Sequence, residues 1–407
     1  MFDSVLRLWW GRLPAVVYRL SPQAGLALAD GIHLAEWRAL AALAPPAAFL
    51  AGLLLGWQHP GFRFVWAESI AFMAAVVFVG TMSASLGGFL VAGFAVGDFG
   101  MGDQHWPVPV PPAGPGVFGA DLPEQVRLRL PLLIGYLLLL LVAARIPLLA
   151  KTLLADAVRG RGGRDPGLGW RVLILTAHAT VTGALVWAWV HALPVLLRPR
   201  FTWIGALAPP STVFQPLQAQ SDIVIGAAVL ASLIRMLHQF PLALRRDVQA
   251  RFDAIQAPVI QIARPWPPGP ARLWLRAGSA AVMTAALASG ILANWLEVLI
   301  ILGGTLVLYA ARAGLVTIPL AGWPDLVNRV PMILRLLAGW IAIQWLASQL
   351  LVNPLVSGGP QDLFRPFVVT TALSLGIAYL LAPYSGQHRG PGDVRHATAS
   401  PGEEVGA

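Results

Sequence analysis

Nine apolar runs, most of them about 20 residues long, constrain the fold of this chain more than any other feature. A bilayer core about 30 Å thick is crossed by roughly 20 apolar residues in a helix, so runs of this length can span it. Of the 407 residues, 57% are hydrophobic and 12% are charged, which leaves too little polar surface for a soluble globule. The sequence therefore predicts an all-α, polytopic transmembrane helical bundle of nine or ten spans, with runs near residues 37–57, 65–96, 128–149, 171–197, 223–242, 273–294, 298–319, 332–352 and 366–382.

Charge and cysteine content narrow the classes of partner. The net charge of +9 comes almost entirely from arginine, because Lys151 is the only lysine. Basic residues beside apolar runs are typical of cytoplasmic loops and of contact with anionic lipids. We therefore expect the lipid bilayer, with anionic lipids at the Arg-rich loops, as a partner, other membrane subunits as a second class, and no nucleic acid. The absence of cysteine removes disulfides, thiolate metal sites and cysteine nucleophiles.

The chain divides into three segments by its patterning. Residues 1–35 alternate apolar residues such as Leu6 and Trp10 with Arg7, Arg12 and Arg19, which predicts an amphipathic helix lying in the membrane interface. Residues 36–384 form the predicted transmembrane bundle. Residues 385–407 are rich in Gly, Pro and Ser and are predicted to be a disordered tail.

Orientation follows from the arginine-rich connections at 151–171, 245–276 and 312–335, which the positive-inside tendency places in the cytoplasm. This arrangement predicts a multi-pass protein of a bacterial inner membrane with a cytoplasmic C-terminus. Nine spans would leave the arginine-bearing N-terminus outside, and ten would bring it inside. The run 65–96 is long enough for a break near Ser83, Gly87 and Gly88, and one long tilted helix is the alternative interpretation.

The polar cluster with the highest free-energy cost of burial in a bilayer consists of Arg235, His238 and Gln239. Their spacing places them on one helix face. Arg235 would lie about 15 Å below the arginine pair that follows the helix, so we expect it to face the bundle and bind a carboxylate, a backbone carbonyl or water. Alternatively, Pro241 ends the helix early and Arg235 reaches the headgroups. Glu68 is either at the headgroup level or a proton-accepting partner for Arg235.

Histidines raise the question of a cofactor. His178 is predicted to be an interior histidine with Thr182 one turn away, and His191 an interfacial one. The two do not stack along one helix face, which argues against haem. His33 and Glu36 share a face but lack a third metal ligand in view. We therefore expect no cofactor, no metal site and no catalytic residue.

Function is the least determined property of the sequence. A membrane component of a transport or export system, moving an unidentified substrate, is favoured by the number of runs, the broken-helix signal and Arg235. The alternative is a non-catalytic membrane subunit or scaffold of a larger complex, which could be a redox or pigment complex. A membrane-embedded enzyme is the third class, and no zinc-helix, nucleophile-elbow or phosphate-loop motif supports it.

Overall fold

The structure is a computed structural model that describes residues 2–20, 22–58, 70–101, 135–151, 168–203, 217–263, 270–288, 295–312 and 315. All regular secondary structure in these ranges is helical, as the sequence predicts. Glu68, the runs 332–352 and 366–382 and the tail 385–407 lie outside the described residues. The helices are α1 (Phe2–Arg7), α2 (Leu13–Leu20), α3 (Pro22–Ala29), α4 (Arg38–Gln58), α5 (Ile70–Met82), α6 (Ala84–Met101), α7 (135–151, with a π-helical turn at Leu141–Arg145), α8 (Leu168–Trp203), α9 (Ser221–Leu244), α10 (Arg246–Ala263), α11 (Pro270–Ala288) and α12 (Trp295–Arg312). A π-helical turn, Leu8–Arg12, joins α1 to α2, and a 3-10 helix, Ile32–Glu36, precedes α4.

Three of these helices are long and apolar enough to cross a membrane. They comprise Arg38–Gln58 in α4, Gly169–His191 in α8 and Ser221–Leu242 in α9. On α4, large apolar side chains stay exposed on one stripe at Leu40, Leu43, Leu50 and Leu54. An exposed apolar stripe of this kind is typical of a helix whose outer face contacts lipid or another apolar surface.

The run 65–96 is broken at Ser83, which separates α5 from α6. A Cβ added to Gly87 would lie 2.6 Å from the Gly80 Cα, although seven residues in a straight helix are about 10 Å apart. The backbone of Ala143 in α7 meets both glycines at the same point. The break predicted from the sequence is therefore present, and the single tilted helix is not. Only glycine allows three backbones to approach this closely.

Helices α4 and α6 pack in parallel through two glycine pairs. A Cβ on Gly52 would be 2.8 Å from the Phe94 nitrogen, and one on Gly56 would be 2.8 Å from the Asp98 nitrogen. The contacts thus advance in the same direction along both helices. Glycines four residues apart let membrane helices approach closely. Helix α4 contributes Gly52 and Gly56 to this contact, and α6 contributes Gly93 and Gly97. Parallel neighbours require the chain to return between them, and α5 lies in that part of the sequence.

The N-terminal residues form a helical layer against the bundle and α10. Leu6 and Trp10 are buried in one cluster with Ala41 of α4 and Phe252 of α10. The Trp10 indole donates a hydrogen bond to the Ala41 carbonyl at 3.1 Å. This carbonyl lacks its usual helical donor, because the residue four positions later, Pro45, has no N–H. An amphipathic interfacial helix would place Leu6 and Trp10 at the acyl boundary, whereas in the structure these two side chains are buried against protein. They face protein because α10 and α4 provide an apolar surface that the sequence pattern alone does not reveal.

Candidate functional site

Arg235 lies in a helix that continues past it, because α9 runs through Pro241 to Leu244. Its side chain is 1% exposed, so it does not reach the headgroups as the alternative interpretation required. One guanidinium nitrogen donates to Asp30 Oδ1 at 2.5 Å, and the other donates to the Thr81 carbonyl at 3.0 Å. The expected partners, a carboxylate and a backbone carbonyl, are therefore both present. The carboxylate is that of Asp30, and Glu68, the partner suggested by the sequence, lies outside the described residues.

Asp30 is held at the turn after α3, where Gly31 adopts φ +106° in the left-handed region that glycine tolerates. Its second carboxylate oxygen accepts a hydrogen bond from the Ala84 N–H at 2.9 Å. Its backbone carbonyl accepts one from the Ser83 hydroxyl at 3.1 Å. The ammonium of Lys151 lies 3.7 Å from the oxygen that also binds Arg235. Asp30 thus joins the N-terminal layer to α6, α7 and α9.

The C-terminal end of α5 and the N-terminal end of α6 carry opposite partial charges, and each contacts a side chain of the opposite charge. The carbonyl of Thr81 belongs to the last turn of α5, where the helix dipole is negative, and it receives the guanidinium. The N–H of Ala84 begins α6, where the dipole is positive, and it receives the carboxylate. The ion pair of Asp30 and Arg235 therefore caps both helix ends at once.

The charge state of Asp30 follows from these neighbours. Burial by itself raises the pKa of the Asp30 carboxyl, but the charges of Arg235 and Lys151 and the hydrogen bonds outweigh it and hold the pKa well below its usual value. Asp30 is therefore ionised at neutral pH. Two cations then share one carboxylate, so this cluster carries a net positive charge.

A second, more exposed group of contacts joins the 30–36 segment to the end of α9. His33 Nδ1 lies 3.0 Å from the Gln239 amide nitrogen. Glu36 lies 3.5 Å from the His238 ring nitrogen and 3.2 Å from the Arg245 guanidinium. Burial, and then the charge of Arg235, lower the pKa of His33 to about 3, so its ring is neutral and Nδ1 accepts a hydrogen bond from Gln239. The sequence places Arg235, His238 and Gln239 on one face, and all three contact the 30–36 segment.

His178 belongs to a neighbouring contact between α8 and α9. Its Nδ1 lies 2.5 Å from the Ser232 hydroxyl, and Thr182 donates to the His178 carbonyl at 2.8 Å. His178 is buried, as an interior histidine should be, and Ser232 lies one turn before Arg235 on α9. His191 is exposed against the Trp187 ring, with the ring centroids 4.5 Å apart. Within the described ranges, no group of three His, Asp or Glu side chains is arranged to hold a metal ion.

The charged side chains of Asp30 and Lys151 were not predicted as members of the site, and Ser83 was predicted only as part of the helix break. Asp30 carried a usable signal, because it is the only ionisable residue between Arg19 and His33 and stands in an Asp-Gly turn dipeptide. Lys151 is the only lysine in the chain but sits in a connection that looked like an ordinary basic loop. Neither signal identifies Arg235 as the residue that Asp30 pairs with, because α9 lies far from both Asp30 and Lys151 in sequence.

Comparison with known proteins adds no further constraint. No protein-family model matches the chain, and neither a curated protein nor a solved structure matches it. Any functional conclusion therefore depends on the geometry of the site described above.

Proposed function

We propose that this chain is a membrane component of a transport or export system, and that a small charged solute passes beside the break between α5 and α6. The supporting observation is the ion pair of Asp30 and Arg235, fully buried between the two helix ends. Transporters commonly form substrate and ion sites at helix ends inside the bundle, and the turn between α5 and α6 brings two helix ends to this ion pair. An ionisable group inside a membrane bundle is a functional site by default, because apolar residues of similar volume are often at least as stable as a buried ion pair.

The proposal includes nine or ten spans in a bacterial inner membrane. The parallel packing of α4 and α6 favours three crossings within the first hundred residues, which is the ten-span arrangement. The N-terminal layer packs on α10, and α10 lies in the arginine-rich connection 245–276. Both would then be cytoplasmic, and the C-terminus with them. Exposed Arg7, Arg12 and Arg19 are placed to contact anionic lipid headgroups.

Transport can be tested by solid-supported-membrane currents from proteoliposomes after concentration jumps of acetate, phosphate, glutamate, chloride, sodium and potassium. Wild-type protein should give a current with at least one of these ions that empty liposomes lack. Arg235→Gln should reduce that current at least about tenfold, because a buried charge that positions a solute is lost. Arg246→Gln is the matched control, since Arg246 is exposed on the first turn of α10 and should leave the current unchanged.

Folding of the variants must be shown separately, because Arg235→Gln leaves a buried carboxylate with fewer partners. The double variant Asp30→Asn/Arg235→Gln removes both charges, and it should also be inactive while keeping a monodisperse elution profile. Absence of current for every ion in the wild type would overturn the transport proposal. Co-purification of stoichiometric membrane proteins in mild detergent, without current, would favour the alternative function of a subunit or scaffold.

A further inference from the structure

The groups around the Asp30 carboxylate form a receptor for an anion. They are the guanidinium of Arg235 at 2.5 Å, the N–H of Ala84 at 2.9 Å and the ammonium of Lys151 at 3.7 Å. They come from α9, α6 and α7, so the receptor is assembled by the fold and does not depend on a single loop. Guanidinium and backbone N–H groups are the usual ligands of carboxylate and phosphate in proteins.

The receptor contains more positive charge than the single Asp30 carboxylate neutralises. Two cations are present for one carboxylate, and Lys151, at 56% exposure, connects the buried pair to the surface. The hydroxyl groups of Thr81 and Ser85 flank the break within one turn, are fully buried, and have no hydrogen-bond partner among the described residues. An unpaired buried hydroxyl is energetically costly, and a polar ligand bound beside it would relieve that cost.

We propose that the solute handled at this site is a small anion with a carboxylate or phosphate group, which takes the place of the Asp30 carboxylate between Arg235, Lys151 and the first turn of α6. This inference deepens the proposed function and rests on it. In the described structure the chain's own carboxylate occupies the receptor, which corresponds to a closed state. An incoming anion competes with a tethered group whose effective concentration is about millimolar or higher. Wild-type affinity is therefore weak, and removal of the Asp30 carboxylate should raise it at least about tenfold.

The test is anion-dependent thermal unfolding of Asp30→Ala in phosphatidylcholine nanodiscs, with sodium acetate or sodium phosphate against sodium chloride at equal ionic strength. The buried guanidinium left by Asp30→Ala should be neutralised by the added anion. Acetate or phosphate should then raise the unfolding temperature by about 2–4 °C and saturate, since a ligand that binds only the folded state stabilises it. Wild-type protein should need at least about tenfold more anion for the same shift.

Two controls address folding and specificity. Asp30→Ala/Arg235→Met lacks the buried cation and should show no difference between acetate and chloride. If Asp30→Ala does not fold, Asp30→Asn keeps the shape of the side chain, and Lys151→Gln in that background should weaken the acetate effect. Equal shifts in acetate, phosphate and chloride, or equal shifts with and without Arg235, would overturn the inference.

A lipid headgroup offers the same phosphate chemistry, and a further arm separates the two sources. Phosphatidylglycerol in the nanodisc should add nothing to the effect of soluble acetate or phosphate. A shift with phosphatidylglycerol and none with soluble anions would overturn the assignment of a soluble solute. Specific binding of acetate or phosphate without any current in proteoliposomes would leave the anion receptor standing and refute transport. Current that depends on Arg235 but is carried only by sodium or potassium would refute the anion and retain transport.

Discussion

Breaking the buried ion pair from its two sides should have unequal effects on stability. Asp30→Ala leaves the Arg235 guanidinium, which is 1% exposed, with one hydrogen bond among the described residues, to the Thr81 carbonyl at 3.0 Å. Arg235→Met leaves the carboxylate with the Lys151 ammonium at 3.7 Å and the Ala84 N–H at 2.9 Å. Removing one partner of a buried pair costs about 3–5 kcal/mol, so we expect Asp30→Ala near the upper end and Arg235→Met near the lower end.

The double variant Asp30→Ala/Arg235→Met removes both charges and should lose clearly less stability than the sum of the two single variants. The coupling should be at least about 2 kcal/mol, because each single variant strands a charge that the double variant lacks. The free energy of unfolding can be measured by circular dichroism in mixed micelles titrated with denaturant. Asp247→Asn, on an exposed ion pair with Arg245, is the control and should change little. Additive single effects, or a smaller loss for Asp30→Ala than for Arg235→Met, would refute the reasoning.

Three further predictions concern the surroundings of the pair. Burial lowers the pKa of His33 from 6.5 to about 3, so the unfolded chain binds a proton that the folded protein excludes. The free energy of unfolding should therefore be highest above pH 6.5 and fall below it, by up to about 1.4 kcal/mol per pH unit. In unfolding measured against pH, His33→Gln should flatten this dependence. Gly87→Ala should lower the unfolding temperature, because its Cβ would meet the backbones of Gly80 and Ala143. Gly88→Ala is the control, since a Cβ there meets nothing within 4 Å, and it should leave the unfolding temperature unchanged or raise it slightly. Equal losses for the two variants would contradict the close contact of backbones. Trp10→Phe should lower the unfolding free energy by about 1–3 kcal/mol, because the Ala41 carbonyl loses its donor, and an unchanged value would show that this carbonyl has another partner.

The helical class and the break at Ser83 could be predicted because both depend on local quantities. Apolar runs of about 20 residues match the thickness of a bilayer, and the run 65–96 exceeds it. The face shared by Arg235, His238 and Gln239 also follows from helix geometry alone. Proline was a less reliable guide, because Pro45 and Pro241 both lie inside helices. At Pro45 the indole of Trp10 replaces the missing N–H.

The partner of Arg235 could not be predicted, because it lies 205 residues away in sequence. The cost of burying a guanidinium predicts that a carboxylate or carbonyl will be near, but it does not say which one. Glu68 was named because it begins an apolar run, whereas Asp30 lay in a segment assigned to the interface. Only the packing of the N-terminal layer on α4 and α10 brings Asp30 to the break. Tertiary contacts of this range leave no periodic pattern in the sequence.

The contacts of the 30–36 segment differ in strength along its length, and this sets the order in which it could leave α9. Glu36 is 28% exposed and pairs with Arg245 at 53% exposure, so water and salt screen that contact. Asp30 is buried and pairs with the Arg235 guanidinium, whose other hydrogen bond among the described residues is to the Thr81 carbonyl. Separation should therefore begin at Glu36 and end at Asp30, where an anion must replace the carboxylate if the guanidinium is to remain in the bundle. Movement of the N-terminal layer and occupation of the anion site would then be coupled, because a ligand that binds Arg235 favours the state in which Asp30 has left it.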